Sequence, residues 1–234
     1  MDAISAKEQM PKAACETCPI AQNAQLVKLG VNVTGFDYVV ALAGNPNTGK
    51  STVFNALTGL RQHTGNWPGK TVTRAEGGFI YDAARFKLVD LPGTYSLLST
   101  STDEEVARDF ILFGQPTVTV IVVDASRLER NLNLVLQILE ITDRVVVCLN
   151  LMDEAARHGI EVDERALARD LGVPVVPAVA RQGEGIPELL QAINDVARGA
   201  VATRPHRIAN LDPKVAAMVD RLAAEVEATF ECLP

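Results

Sequence analysis

The run Gly44-Asn45-Pro46-Asn47-Thr48-Gly49-Lys50-Ser51 constrains the fold of this chain more than any other feature. It fills every fixed position of G-x-x-x-x-G-K-[ST], in which backbone N–H groups of a glycine loop surround phosphates. The flanks agree with that pattern. Residues 38–43 form an apolar run suited to a buried strand, and residues 52–57 can open a helix. Strand, loop and helix N-terminus then converge on one anion. Gly44, Asn45, Pro46, Asn47, Thr48, Gly49, Lys50, Ser51 and Thr52 are therefore candidate phosphate-binding residues. Lys50 is placed to reach the β- and γ-phosphates, and the Ser51 hydroxyl to bind Mg²⁺.

Strand and helix patterns alternate after this loop. Residues 85–89 alternate as a half-buried strand, and residues 117–123 and 145–149 are continuous β-branched runs that suit the buried strands of a parallel sheet. Residues 173–176 add a short strand, and residues 71–80 are β-prone at their start, with Gly77-Gly78 suited to a turn or bulge. Helices are predicted over 103–113, 131–141 and 184–198, the last with Pro187 in its first turn. The expected fold is α/β: a P-loop, Ras-like, doubly wound and mostly parallel sheet with helices on both faces, spanning residues 37–200. Residues 1–36 read as a flexible extension, and 204–234 as the beginning of a helical domain. In the latter, Asp212 caps a helix from Pro213 whose stripe is Val215, Met218, Val219, Leu222, Val226 and Phe230.

Further motifs narrow the nucleotide. Asp90-Leu91-Pro92-Gly93 follows a strand, where a carboxylate can hold Mg²⁺ and a glycine N–H can sense the γ-phosphate. Asn150-Leu151-Met152-Asp153 also follows a strand, at the edge where such sheets bind ligands. The Asp153 carboxylate can accept from both guanine N1–H and the exocyclic amine, a pair of donors adenine lacks. A helix cap is the plainer reading of Asp153. Asn150 is expected to tie the base-binding loop to the phosphate loop. The polar, glycine-rich segment 62–71 reads as a switch loop, with Thr71 as a second Mg²⁺ ligand. Trp67, the single tryptophan, is either a loop anchor or a nucleotide sensor. Cys15 and Cys18 are either half a metal site or a reduced, disordered C-x-x-C.

The net charge of −7 and the scattered Lys and Arg residues argue against nucleic-acid binding. No apolar stretch approaches the ~20 residues of a membrane helix, and the N-terminus lacks a secretory layout. The fragment is therefore expected to be soluble and cytoplasmic, with reduced cysteines.

Four segments together, 44–51, 65–72 (Gly-Asn-Trp-Pro-Gly-Lys-Thr-Val), 90–97 (Asp-Leu-Pro-Gly-Thr-Tyr-Ser-Leu) and 150–153, resemble the cytosolic GTPase domain of bacterial ferrous-iron transport protein B, FeoB. The resemblance covers roughly residues 37–200, and the tail is similar to the start of the family's dissociation-inhibitor-like helical domain. It implies hydrolysis of GTP to GDP, coupled to ferrous iron transport at the cytoplasmic face of the bacterial inner membrane. The implied partner is the membrane domain of the same transporter, through which oligomers would form. Nucleotide contacts are implied for Gly69, Lys70, Thr71, Val72 and Thr73, and for Ala180, Arg181 and Gln182 in the guanine segment. Implied catalytic residues are Asn47, Lys50, Thr71 and Gly93, with Thr94 where many GTPases carry a water-orienting glutamine. The family's substitute is K⁺, which the match assigns to Asn47 and to the carbonyls of Gly65 and Trp67. Ala180 stands where the family usually has serine, which implies weaker nucleotide affinity and faster release. A ribosome- or tRNA-associated GTPase and a binding switch with negligible turnover are the competing readings.

Overall fold

The computed structural model describes residues 25–59, 62–98, 101–207 and 213–229. Its strands are β1 (Tyr38–Gly44), β2 (Gln62–Asn66), β3 (Thr73–Tyr81), β4 (Ala84–Asp90), β5 (Val118–Asp124), β6 (Val145–Asn150) and β7 (Val175–Pro177). They form one sheet in the order β2-β3-β4-β1-β5-β6-β7. β1 pairs in parallel with β4 and β5, and β5, β6 and β7 continue in parallel. Only β2 and β3 run antiparallel to their neighbours. This is a mostly parallel α/β sheet of the doubly wound kind expected from the sequence.

The side-chain period of two sends alternate residues to opposite cores. Val39, Ala41, Ile121, Val123, Val145 and Val147 pack on one face. Val40, Leu42, Val120, Val122, Val146 and Cys148 pack on the other. Both faces are buried because helices cover both, which is why β5 and β6 read as unbroken apolar runs. The first face is covered by α2 (Thr102–Gly114) and α3 (Leu128–Ile141), through residues such as Phe110, Ile111, Val135 and Ile138. The second is covered by α1 (Lys50–Thr58) and α6 (Ile186–Ala197), through Val53, Phe54, Leu189 and Ile193. Two short helices, α4 (Met152–Arg157) and α5 (Glu164–Leu171), join β6 to β7. A separate helix, α7 (Pro213–Thr229), exposes Val215, Met218, Val219 and Leu222.

Several expectations change here. Residues 62–66, expected inside a switch loop, form edge strand β2, with Gly65 opposite Arg74 and Asn66 opposite Thr73. Gly77 and Gly78 make no turn; they continue the β3–β4 ladder opposite Leu88 and Lys87. A Cβ on Gly78 would stand 2.7 Å from Phe36 Cε1, so glycine serves close packing at that position.

The largest correction concerns the extension. Residues 25–36 are packed, with Leu26 and Val31 buried in the first core. Residues 25–28 form a helical turn closed by Gly30 at φ 82°, where the Val31 N–H donates to the Leu26 carbonyl at 2.9 Å. Cys15, Cys18, Asp212 and Phe230 lie outside the described residues.

Candidate functional site: a phosphate loop joined to a base-binding edge

The phosphate loop begins as a turn. Pro46 supplies a fixed φ and Asn47 follows at φ 66°, the backbone pair of a type II turn. Asn tolerates this left-handed region better than most residues. The Thr48 hydroxyl donates to the Asn45 carbonyl at 3.0 Å and closes the turn. Gly49 follows at φ 81°, and a Cβ there would stand 2.3 Å from Asn150 Nδ2. Only glycine satisfies both constraints. Helix α1 then starts, and the Thr52 and Val53 N–H groups both donate to the Gly49 carbonyl, at 2.9 and 3.0 Å. The Lys50 and Ser51 N–H groups precede that ladder, as the unpaired donors of a helix N-terminus.

Residues 90–94 run beside this loop. The Leu91 N–H donates to the Leu42 carbonyl at 2.9 Å, and the Thr94 N–H to Gly44 at 3.3 Å. A Cβ on Gly93 would sit 3.4 Å from Pro46 Cα. The Asp-x-x-Gly segment is thus pressed against the phosphate loop, as expected. Lys50 occupies a position the sequence did not foresee. Its ammonium ion-pairs with Asp90 Oδ1 and donates to the Leu91 carbonyl at 2.7 Å. Burial pushes the Asp90 carboxyl above the usual carboxylate range, and Lys50 offsets part of that shift. Thr94 is buried, so its hydroxyl does not stand in for a solvent-facing glutamine.

Asn150 joins the two halves of the site. Its Nδ2 donates to the Thr48 carbonyl at 2.9 Å, and its Oδ1 accepts from the Ala180 N–H at 3.0 Å. The side chain is 1% exposed, so both bonds form away from water. Asn150 thus links the glycine loop to residue 180, the segment expected to meet a base. It also orders the segment without the missing serine hydroxyl. The Gln182 N–H donates to the Val179 carbonyl at 2.8 Å, so with Ala180 engaged the Arg181 N–H is the segment's remaining donor.

Leu151 caps α4 at φ 62°, a strained backbone for a branched residue. Asp153 is therefore the second helical residue and makes no cap bond. Its carboxylate lies 3.1 Å from Arg157 and 3.7 Å from Arg181. Sequence reasoning missed Asp124 and Arg127, which line a cavity with Asn47, Gly49 and Leu151 at the edge of the phosphate loop. Asp124 is placed at the end of β5 and bonds the Ser126 N–H at 2.9 Å. The only local signal was an acidic residue ending an apolar run.

Residues 67–72 make none of the hydrogen bonds or ion pairs described above. Trp67 is 4% exposed and meets Phe110 edge-on, with ring centroids 5.4 Å apart. It is a loop anchor in this conformation. Its carbonyl accepts from the Lys70 N–H at 3.0 Å. Thr71, Gly69 and Lys70 are exposed, and Lys70 pairs with Glu105 at 2.6 Å. Among the described residues no group of three His, Cys, Asp or Glu converges as a metal site, and no helix is long and apolar enough to cross a membrane.

Comparison with known proteins agrees with this geometry. The model of the family described as ferrous iron transport protein B matches residues 38–193. The Fe(2+) transporter FeoB of Salmonella typhimurium is 50% identical over 159 residues, covering 66% of this chain and 21% of that relative. The Escherichia coli K12 transporter of the same description is 49% identical over the same length. The chain thus spans about a fifth (21%) of the length of these curated relatives. Among solved structures, the G domain of the T. maritima FeoB iron transporter aligns with a TM-score of 0.65 and 44% identity, covering 68% of this chain and 98% of that one. The cytosolic domain of L. pneumophila FeoB gives 0.74 and 35%, covering 82% and 81%. A GMPPNP form of the T. maritima cytosolic domain gives 0.72 and 37%, covering 83% and 76%.

Proposed function

Because this chain belongs to the ferrous iron transport protein B family, we propose that its sheet carries a GTP-hydrolysing module regulating a ferrous iron transporter. The observation that carries the reading is Asn150, whose one side chain bonds both the phosphate loop and the segment beside Asp153. A loop that grips phosphates is thereby fixed relative to a carboxylate that selects guanine. The solved relatives described as GDP and GMPPNP forms support the same nucleotide class.

In this reading the Asp153 carboxylate accepts two hydrogen bonds from guanine, and the Arg181 N–H donates to the base oxygen. Arg157 and Arg181 flank the Asp153 carboxylate and hold it in place. Lys50 exchanges the Asp90 carboxylate for the β- and γ-phosphates. That exchange frees a poorly hydrated carboxylate, which lowers the cost of recruiting a cation. Ser51, Thr71 and Asp90 are hard oxygen donors proposed to hold Mg²⁺, whose charge neutralises the β- and γ-phosphate oxygens. Water then attacks the γ-phosphorus, the bond from phosphorus to the β–γ bridging oxygen breaks, and GDP and inorganic phosphate leave. Asn47, with the Gly65 and Trp67 carbonyls, would hold K⁺, which would supply positive charge to offset the charge developing in the transition state. Gly93 offers its N–H to the γ-phosphate from its place against Pro46. The membrane domain of the transporter is the proposed partner, reached from the cytoplasmic face.

Base selection tests this reading. Asp153→Asn replaces an acceptor with a donor, so GDP binding should weaken about 10- to 100-fold while xanthosine diphosphate gains. Unchanged GDP affinity, measured by titration calorimetry, would contradict the base assignment.

A further inference from the structure

Residues 25–36 precede the family match, yet they touch the switch loop directly. We propose that they act as an intramolecular clasp that holds residues 65–72 in the sheet-paired, Trp67-buried form and so restrains GTP turnover. The proposal rests on the GTPase reading above.

Three sets of contacts build the clasp. Arg74, on β3, donates from both terminal nitrogens to the helical turn of the segment, to the Leu29 carbonyl at 3.1 Å and the Gly30 carbonyl at 2.8 Å. The same guanidinium lies 5.2 Å from the centre of the Trp67 ring. Gly30 backs onto the loop itself, since a Cβ there would stand 2.7 Å from Pro68 Cγ. At the other end, Lys87 lies 5.2 Å over the Phe36 ring. Glu76 joins the two cations, 2.7 Å from Arg74 Nε and 2.5 Å from Lys87 Nζ. This ion triad is largely buried, and residues of 25–36 meet it at both ends. Leu26 and Val31 share the core that contains Trp67 and Phe110, and Leu26 and Leu29 flank Gly114 on α2.

The held form is not one that serves catalysis. In the sheet order β2-β3-β4-β1, Gly65 sits three strands from β1, about 14 Å at the usual strand spacing. The Gly65 carbonyl assigned to K⁺ must close that gap to reach Asn47. In the held form the Trp67 carbonyl is already engaged by Lys70. The indole N–H is buried with no acceptor among the described residues, a net cost to this form. Tertiary contacts must offset that cost, and the clasp supplies part of them. Weakening the clasp therefore shifts the loop toward its released form.

Leu26→Ser/Val31→Ser in the full chain tests the clasp, because neither residue touches the nucleotide motifs. Trp67 is the single tryptophan and reports directly on the loop. The expected result is red-shifted emission, greater acrylamide quenching and a several-fold rise in GTP turnover, with GDP affinity within twofold of the parent. Unchanged emission and turnover in a folded variant would overturn the proposal. If that variant does not fold, hydrogen exchange on the unaltered chain decides. Loading with GMPPNP, Mg²⁺ and K⁺ should raise exchange in 25–36 and 66–72 together. Change in 66–72 alone, or in neither with nucleotide bound, would overturn it. Failure to bind GDP at all would instead refute the GTPase reading.

Discussion

Asn150 is a single polar side chain, 1% exposed, with both ends of its amide committed. Removing it leaves the Thr48 carbonyl and the Ala180 N–H unpaired, and each such loss costs about 1–3 kcal/mol. Asn150→Ala should therefore lower stability by about 2–4 kcal/mol in urea unfolding and weaken GDP binding in parallel. A loss of affinity without loss of stability would mean that Asn150 contacts the ligand rather than joining the loops. Cys148 gives a second residue-level test. Burial in β6 pushes its thiol up from 9.0 to about 12, so it stays protonated where an unfolded thiol ionises. The sign follows: this contribution to stability is complete below pH 9.0 and is lost as pH rises toward about 12. At pH 8 the Cys148 peptide should resist iodoacetamide in the native protein and react once it is unfolded, as read by mass spectrometry.

The elements show which patterns reach the sequence and which do not. β1, β5 and β6 were legible because burial on both faces forces continuous apolar runs. β2 was not, because Gln62-His63-Thr64-Gly65-Asn66 has no apolar period and is a strand only by pairing with β3. The glycine pair in β3 looked like punctuation, but Gly78 exists to admit the Phe36 ring. Nothing local to residues 77–78 reveals a ring arriving from residue 36. The phosphate loop and Asn150 were legible for the opposite reason, since their chemistry fixes residue type at fixed spacing. The resting place of Lys50 on Asp90 was not, because it depends on burial rather than on either motif. Gly78→Ala should lower the melting temperature through about 1–3 kcal/mol of overpacking, and Gly78→Ala with Phe36→Leu should recover part of it. No loss in the single variant would mean that the Phe36 contact is loose.

At the scale of the whole molecule, the sheet brings three loops from separate parts of the chain to one edge. The phosphate loop follows β1, the Asp-x-x-Gly segment follows β4, and the guanine motif follows β6. The arm formed by β2 and residues 67–72 lies at that same end, displaced to one side. On the proposed reading, turnover requires a movement of that arm and a cation in place of the glutamine that Thr94 does not supply. The most direct measurement is phosphate release from GTP in K⁺ and in Na⁺ at equal ionic strength, for the parent chain and for Asn47→Ala. K⁺ should clearly stimulate the parent, that stimulation should be lost in Asn47→Ala, and both should retain GDP binding. Equal rates in the two salts, with Asn47→Ala indistinguishable from the parent, would contradict it.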